Sequence, residues 1–176
     1  RLERGDVATG AGHYRVHDVG GAYLDRIAHD VKLARPMRIA VDCGNGVAGA
    51  FAPTLFRRLG CDLVELFCDV DGRFQNHHPD PSQPKNLADL SERLARGDCE
   101  IGLAFDGDGD RLGVVTKDGH MIYPDRQLML FARDVLERHR GATILFDVKC
   151  SMHMAPTIRR AGGVPLMWMT GHSLMK

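Results

Sequence analysis

The chain has 176 residues, with 23 Lys plus Arg against 23 Asp plus Glu, 44% hydrophobic and 6% aromatic. Zero formal charge removes the electrostatic case for a nucleic-acid or anionic-membrane partner, and no apolar run approaches the roughly 20 residues that span a bilayer. The length suits one ordinary domain plus a remainder, and the opening Arg1–Asp6 has neither an initiator Met nor a signal pattern, so a piece of a longer polypeptide is expected.

Residues 1–17 carry no period and read as a connector. Asp18 begins a helical pattern through Tyr23, Leu24, Ile27, Ala28 and Val31 that Pro36 ends. Met37–Asp42 is a β-type run, followed by a glycine-rich turn at Cys43–Gly46, a helix from about Ala48 to Leu59 closed by Gly60, and a second strand over Asp62–Phe67. Asp69–Pro84 is a long turn-forming loop, the kind that is functional or packs on another domain. Leu87, Leu90 and Leu94 mark a further helix, Glu100–Phe105 a third strand and Leu112–Thr116 a fourth. The six residues between the last two strands are too few for a parallel crossover, so these two should be antiparallel.

A second unit begins near Tyr123, with a helix carrying Leu128, Phe131, Ala132, Val135 and Leu136, a strand over Thr143–Val148, a helix over Met152–Ala161 and a strand over Val164–Met169. The fold class read from this order is α/β: a three-layer domain over 18–120 with a four-stranded, mostly parallel sheet whose last strand is antiparallel, then a partial α/β unit of the same type over 121–176. Cys43, Cys61, Cys68, Cys99 and Cys150 are odd in number and contain no C-x-x-C pair, which argues against a zinc ribbon or a disulfide framework. Buried reduced thiols of a cytoplasmic protein are expected instead. Met121, Met129, Met152, Met154, Met167, Met169 and Met175 sit in apolar patterns and read as core or interface filler.

The segment Asp106-Gly107-Asp108-Gly109-Asp110-Arg111 carries the most chemistry. Three carboxylates at i, i+2 and i+4 repel one another without a cation, while the intervening glycines let the backbone turn so that all three face one point. Such hard oxygen donors suit Mg²⁺ or Ca²⁺. An EF-hand fails, because Arg111 and Lys117 stand where that loop needs Gly and Glu. A solvated hairpin turn is the plainer alternative. Arg111 would place a fixed cation beside the metal, as a phosphate site requires.

A rival comes from Gly44-Asn45-Gly46-Val47-Ala48-Gly49, which satisfies G-x-G-x-x-G between a strand and a helix, with Glu65 and Asp69 about 20 residues on. Gly44, Gly46 and Gly49 could thus serve an NAD-binding module, a reading that leaves the acidic loop unexplained. His77 and His78 invite a metal reading, but adjacent loop residues point opposite ways and no third ligand is near in sequence, so a packed loop is expected.

Phe105–Val115 resembles the metal loop of the α-D-phosphohexomutases, in particular the bacterial phosphomannomutase/phosphoglucomutase branch. The resemblance continues in Val41–Gly46, in Asp71–Ser82 with Gln75 where Pro is usual, and in Thr170–Lys176. It implies a cytoplasmic enzyme that interconverts the 1- and 6-phosphates of mannose and glucose through a phosphoserine and a 1,6-bisphosphate. It further implies Mg²⁺ on Asp106, Asp108 and Asp110, with Arg111 as the catalytic neighbouring cation. Lys149, which ends a strand, and Thr170, Gly171 and His172 would contact substrate. Ser82, Ser91, Ser151 and Ser173 lie outside any nucleophile motif of that family, so the catalytic serine is expected in other domains of the same polypeptide, and this chain alone should be inactive.

Overall fold

The computed structural model describes the chain except Arg1, Asp6, Thr9 and Lys176, and the side chains of Leu2 and His172 also lie outside the described residues. Helix α1 (Gly20–Asp30) is followed by strand β1 (Arg38–Asp42), buried from Ile39 onward. A turn with positive φ at Gly44 and Asn45 then leads to a 3₁₀ turn over Val47–Ala50 and helix α2 (Ala52–Arg58). The single helix expected over 48–59 is divided: Pro53 has no N–H with which to bond the Gly49 carbonyl, and it sits in the first turn of α2, where that N–H is not needed.

Strand β2 (Asp62–Leu66), helix α3 (Ala88–Ala95), strand β3 (Ile101–Phe105) and strand β4 (Leu112–Thr116) follow in the expected order. The sheet has five strands where four were expected. A two-residue strand β5 (Met121–Ile122) pairs antiparallel with β4, giving the order β2-β1-β3-β4-β5. Two residues are too few to show an alternating period. They pair because the tight turn at Lys117–Gly119, closed by Thr116 N–H to His120 O at 2.9 Å, returns the chain along β4. Met121 and Ile122 therefore lie on the first sheet.

Strand β1 is central and parallel to both β2 and β3, while β3 and β4 are antiparallel. Its alternate residues feed two cores. Ile39, Val41 and Cys43 pack with Ala52 and Cys61 on the α2 side, and Ala40 packs with Leu87, Leu90, Leu94 and Val115 on the α3 side. The result is three layers, with the acidic segment at the end of the sheet where β3 turns into β4.

Beyond β5 come helix α4 (Pro124–Arg138), strand β6 (Thr143–Asp147), helix α5 (Met154–Arg160), strand β7 (Val164–Trp168) and helix α6 (His172–Met175). β6 and β7 form a separate parallel pair. Met129, Ala132 and Leu136 of α4 meet Phe146, Met154 and Ile158 in a third core. The methionines divide: Met129 and Met154 are buried, whereas Met152, Met167 and Met169 are exposed. At the start of α4, the Gln127 amide donates to the Ile122 carbonyl at 2.9 Å, tying the helix to the end of the first sheet.

Candidate functional site

Asp106 follows directly on β3 and is 1% exposed, whereas Asp108 and Asp110 face solvent. Each of the three offers a carboxylate oxygen, all within 4.8 Å of one another; among the described residues this is the one such group of acidic, His or Cys donors. Local backbone geometry explains the convergence. Asp106 N–H donates to the Arg111 carbonyl at 3.3 Å, Gly109 N–H donates to the Asp106 carbonyl at 3.1 Å, and Gly109 takes φ 76°, a conformation that favours glycine.

Arg111 closes the loop on itself. Its backbone N–H donates to Asp106 Oδ1 at 3.0 Å, its Nε to Asp106 Oδ2 at 2.7 Å and its Nη1 to Asp80 Oδ1 at 2.9 Å. Burial alone would raise the Asp106 carboxyl, but the Arg111 N–H and guanidinium outweigh it and hold the group below the ordinary value, ionised. Asp110 is pushed the other way, first by its hydrogen bond with Asp106 and then by the charges of Asp108 and Asp106. The donor set is thus all oxygen, crowded and short of positive charge, which fits a hard divalent cation.

The loop rests on two neighbours. The Val47 N–H donates to the Gly107 carbonyl at 3.0 Å, and a Cβ on Gly46 would lie 2.8 Å from that same oxygen. A Cβ on Gly49 would lie 2.0 Å from the Cys68 carbonyl oxygen, and one on Gly44 would lie 2.9 Å from Pro79 Cβ. The glycine turn is therefore filled by the chain's own backbone and leads into a 3₁₀ turn, not into a helix N-terminus. Glu65 is paired with Arg57. The NAD alternative at Gly44, Gly46 and Gly49 is not supported, since the close approaches these glycines permit are made by the chain itself.

His77 packs on Phe67, with ring centroids 5.4 Å apart, and its Nε2 lies 3.0 Å from the buried Asp42 carboxylate. At the other end of the chain, Lys149 Nζ is 3.6 Å from Asp147 Oδ2, and the Thr170 hydroxyl donates to the same oxygen at 3.0 Å. Gly171 takes φ 140°. The His172 side chain lies outside the described residues. Lys149 and Thr170 are thus brought together by Asp147; Lys149 and Asp147 line a depression of about 740 Å³ with Tyr123, Asp125 and Ser151. Asp110 and Arg111 line a different, smaller depression; the two share Pro124. Sequence reasoning missed Asp80 and Asp147 as organising carboxylates, because each acts on a residue that only the fold brings near.

Residues 21–119 match the family described as phosphoglucomutase/phosphomannomutase, alpha/beta/alpha domain II. The chain belongs to this phosphoglucomutase/phosphomannomutase family. It is 61% identical over 170 residues to a phosphoglucomutase of Neisseria meningitidis, covering 97% of this chain and 37% of that protein. It is 53% identical over 176 residues to the phosphomannomutase/phosphoglucomutase of Pseudomonas aeruginosa, covering 100% of this chain and 38% of that protein. A crystal structure of a phosphoglucomutase/phosphomannomutase family protein from Burkholderia thailandensis superimposes with a TM-score of 0.97 at 59% identity, over 99% of this chain and 38% of that one. The chain thus spans little more than a third of the length of these family members. Among the described residues no helix is long and apolar enough to cross a membrane.

Proposed function

We propose that this chain supplies the cation-binding loop and one wall of the substrate site of a phosphohexomutase that interconverts the 1- and 6-phosphates of mannose and glucose. The observation that carries the reading is the convergence of Asp106, Asp108 and Asp110 within 4.8 Å, in a loop inside the matched family region. The names of the Neisseria and Pseudomonas relatives support the reaction class. Mg²⁺ is the cofactor this all-oxygen set suits; bound there, it would neutralise charge on a phosphoryl oxygen during transfer.

The chain's own residues divide the remaining work. Asp106, held in place by Arg111, is the fixed member of the carboxylate set, and Asp108 and Asp110 complete it from the solvent side. Arg111 spends Nε on Asp106 and Nη1 on Asp80, and its Nη2 donates to no protein group among the described residues, so that edge is available to a phosphate oxygen. Lys149, Thr170, Gly171 and His172 are proposed to contact the sugar phosphate, with Asp147 orienting the first two. The phosphoryl-carrying serine and the rest of the cleft wall belong, in this reading, to other domains of the same polypeptide. Turnover through a 1,6-bisphosphate then requires the complete protein.

The test is mutase activity of the complete protein with mannose 1-phosphate and glucose 1-phosphate, with and without Asp108→Asn. Loss of a carboxylate from the set should lower turnover by about 100-fold or more. Undiminished turnover would overturn the role given to the loop. For the chain alone, calorimetry should find weak Mg²⁺ binding, since a phosphoryl oxygen is absent from the donor set; nanomolar affinity would contradict this.

A further inference from the structure

Two cysteines that take no part in the proposed chemistry face each other at the ends of β1 and β2. Cys43, directly after β1, is fully buried, and Cys68, two residues beyond β2, is half-buried; their sulfurs are 3.5 Å apart. β1 and β2 are adjacent and parallel, and the Cys43 N–H donates to the Leu66 carbonyl at 3.1 Å, so the two segments still run side by side at this point. The register pairs Asp42 with Leu66, so Cys68 stands one position beyond the residue opposite Cys43, and Phe67 between them, at φ 51°, turns the backbone where the two sulfurs meet. The sulfurs need only close to about 2.0 Å. Among the described residues, Cys61, Cys99 and Cys150 have no such sulfur neighbour.

We propose that Cys43 and Cys68 form an oxidisable dithiol, which a hydroperoxide converts to a reversible disulfide tying the end of β1 to the end of β2. Cys68 is the attacking thiol because it is the more accessible of the two. Its thiolate sulfur takes the terminal oxygen of the hydroperoxide, the O–O bond breaks, and water or an alcohol leaves after protonation. The Cys43 sulfur then attacks the Cys68 sulfenic acid, loses its proton and expels a second water as the S–S bond forms. Both cysteines are oxidised and one hydroperoxide is reduced, and an external thiol reverses the change by exchange.

The close contact between the two sulfurs supports this assignment. It holds the Cys68 thiol below the ordinary cysteine value, against the opposing effect of burial, and the same contact pushes Cys43 up. The bond would bear on the acidic loop, because Gly46 N–H donates to the Cys43 carbonyl at 2.7 Å and Val47 N–H donates to Gly107 at 3.0 Å.

The reduced chain is to be exposed to a small molar excess of hydrogen peroxide, alkylated in denaturant, digested without reduction and analysed by mass spectrometry. The expected result is one cross-linked peptide joining Cys43 to Cys68 and two fewer alkylated thiols per chain, both reversed by dithiothreitol. Cys43→Ser should remove the cross-link and leave a sulfenic acid on Cys68 that dimedone captures; if that variant does not fold, the cross-link in the unmodified chain decides alone. Complete alkylation of both cysteines at peroxide levels that oxidise Cys150, or cross-links joining other cysteine pairs, would overturn the proposal.

Discussion

At the residue scale, the buried pair Asp42 and His77 shows how one proton can be written into a fold. His77 Nδ1 lies 3.0 Å from the His78 carbonyl, an acceptor only, so Nδ1 must carry a hydrogen. Nε2 faces Asp42 Oδ2 at 3.0 Å, and that contact needs a second proton, on one partner or the other. Burial raises the Asp42 carboxyl, with the His77 charge and the Gly44 N–H opposing incompletely. A carboxyl raised on folding contributes stability that is complete below its unfolded value of about 3.9 and is lost as pH rises through the folded value. Asp42→Asn keeps an oxygen for Gly44 and offers an N–H to His77 without needing the proton. The other carboxylates titrate alike in both chains, so the difference in denaturation midpoint, unmodified chain minus Asp42→Asn, should fall as pH is raised from 4 to 8; parallel profiles would refute the assignment.

The acidic residues were legible for a related reason: their chemistry is local. Asp106, Asp108 and Asp110 converge within a single turn, so alternation with glycine was enough to find them. Asp80 and Asp147 were not legible, since the first reaches Arg111 across 31 positions and the second reaches Thr170 across 23. The Gly44–Gly49 turn misled for the converse reason. A glycine motif records that something approaches the backbone closely, but not whether that neighbour is a ligand or the protein's own Cys68 and Gly107 carbonyls.

At the element scale, the long loop after β2 acts as a wedge that sets the acidic hairpin. A Cβ on Gly113 would lie 2.7 Å from Pro81 Cβ, and one on Gly107 would lie 3.3 Å from Pro79 Cγ. Between those prolines, Asp80 holds Arg111, with its own carboxyl kept below the ordinary value first by the Ser82 hydroxyl and in part by Arg111. The proline rings are rigid, so an added methyl at 113 must displace the loop. Gly113→Ala should cost about 1–3 kcal/mol of stability by overpacking. Gly72→Ala, where nothing lies within 4 Å, should change it little and serves as the control. Equal denaturation midpoints for the two variants would show that the wedge yields freely. Strand β5 belongs to this scale too: it exists through pairing with β4, and pairing leaves no trace in a two-residue pattern.

At the scale of the whole molecule, the two sheets are unequally protected. The first is covered on both faces, with separate cores against α2 and α3, and Leu90, Leu94 and Val41 are completely buried. The β6–β7 pair has one core, against α4 and α5, while Leu145, Val164, Leu166, Met167 and Trp168 remain exposed. The alternation of strand and helix made the α/β order readable along the whole chain. Which face is covered depends on what packs there, and no strand pattern states it. Opening β6 and β7 exposes less newly wetted apolar surface than opening β1 and β3, so it requires less free energy. Native-state hydrogen exchange on the chain should find the β1 and β3 amides exchanging only through global unfolding, and those of β6 and β7 through an earlier, partial opening. Adding a dilute denaturant should merge the two groups only near the unfolding midpoint. Equal protection of both sheets in water would mean that the hydrogen bonds of Gln127 to Leu112 and Ile122 couple the units into one cooperative body.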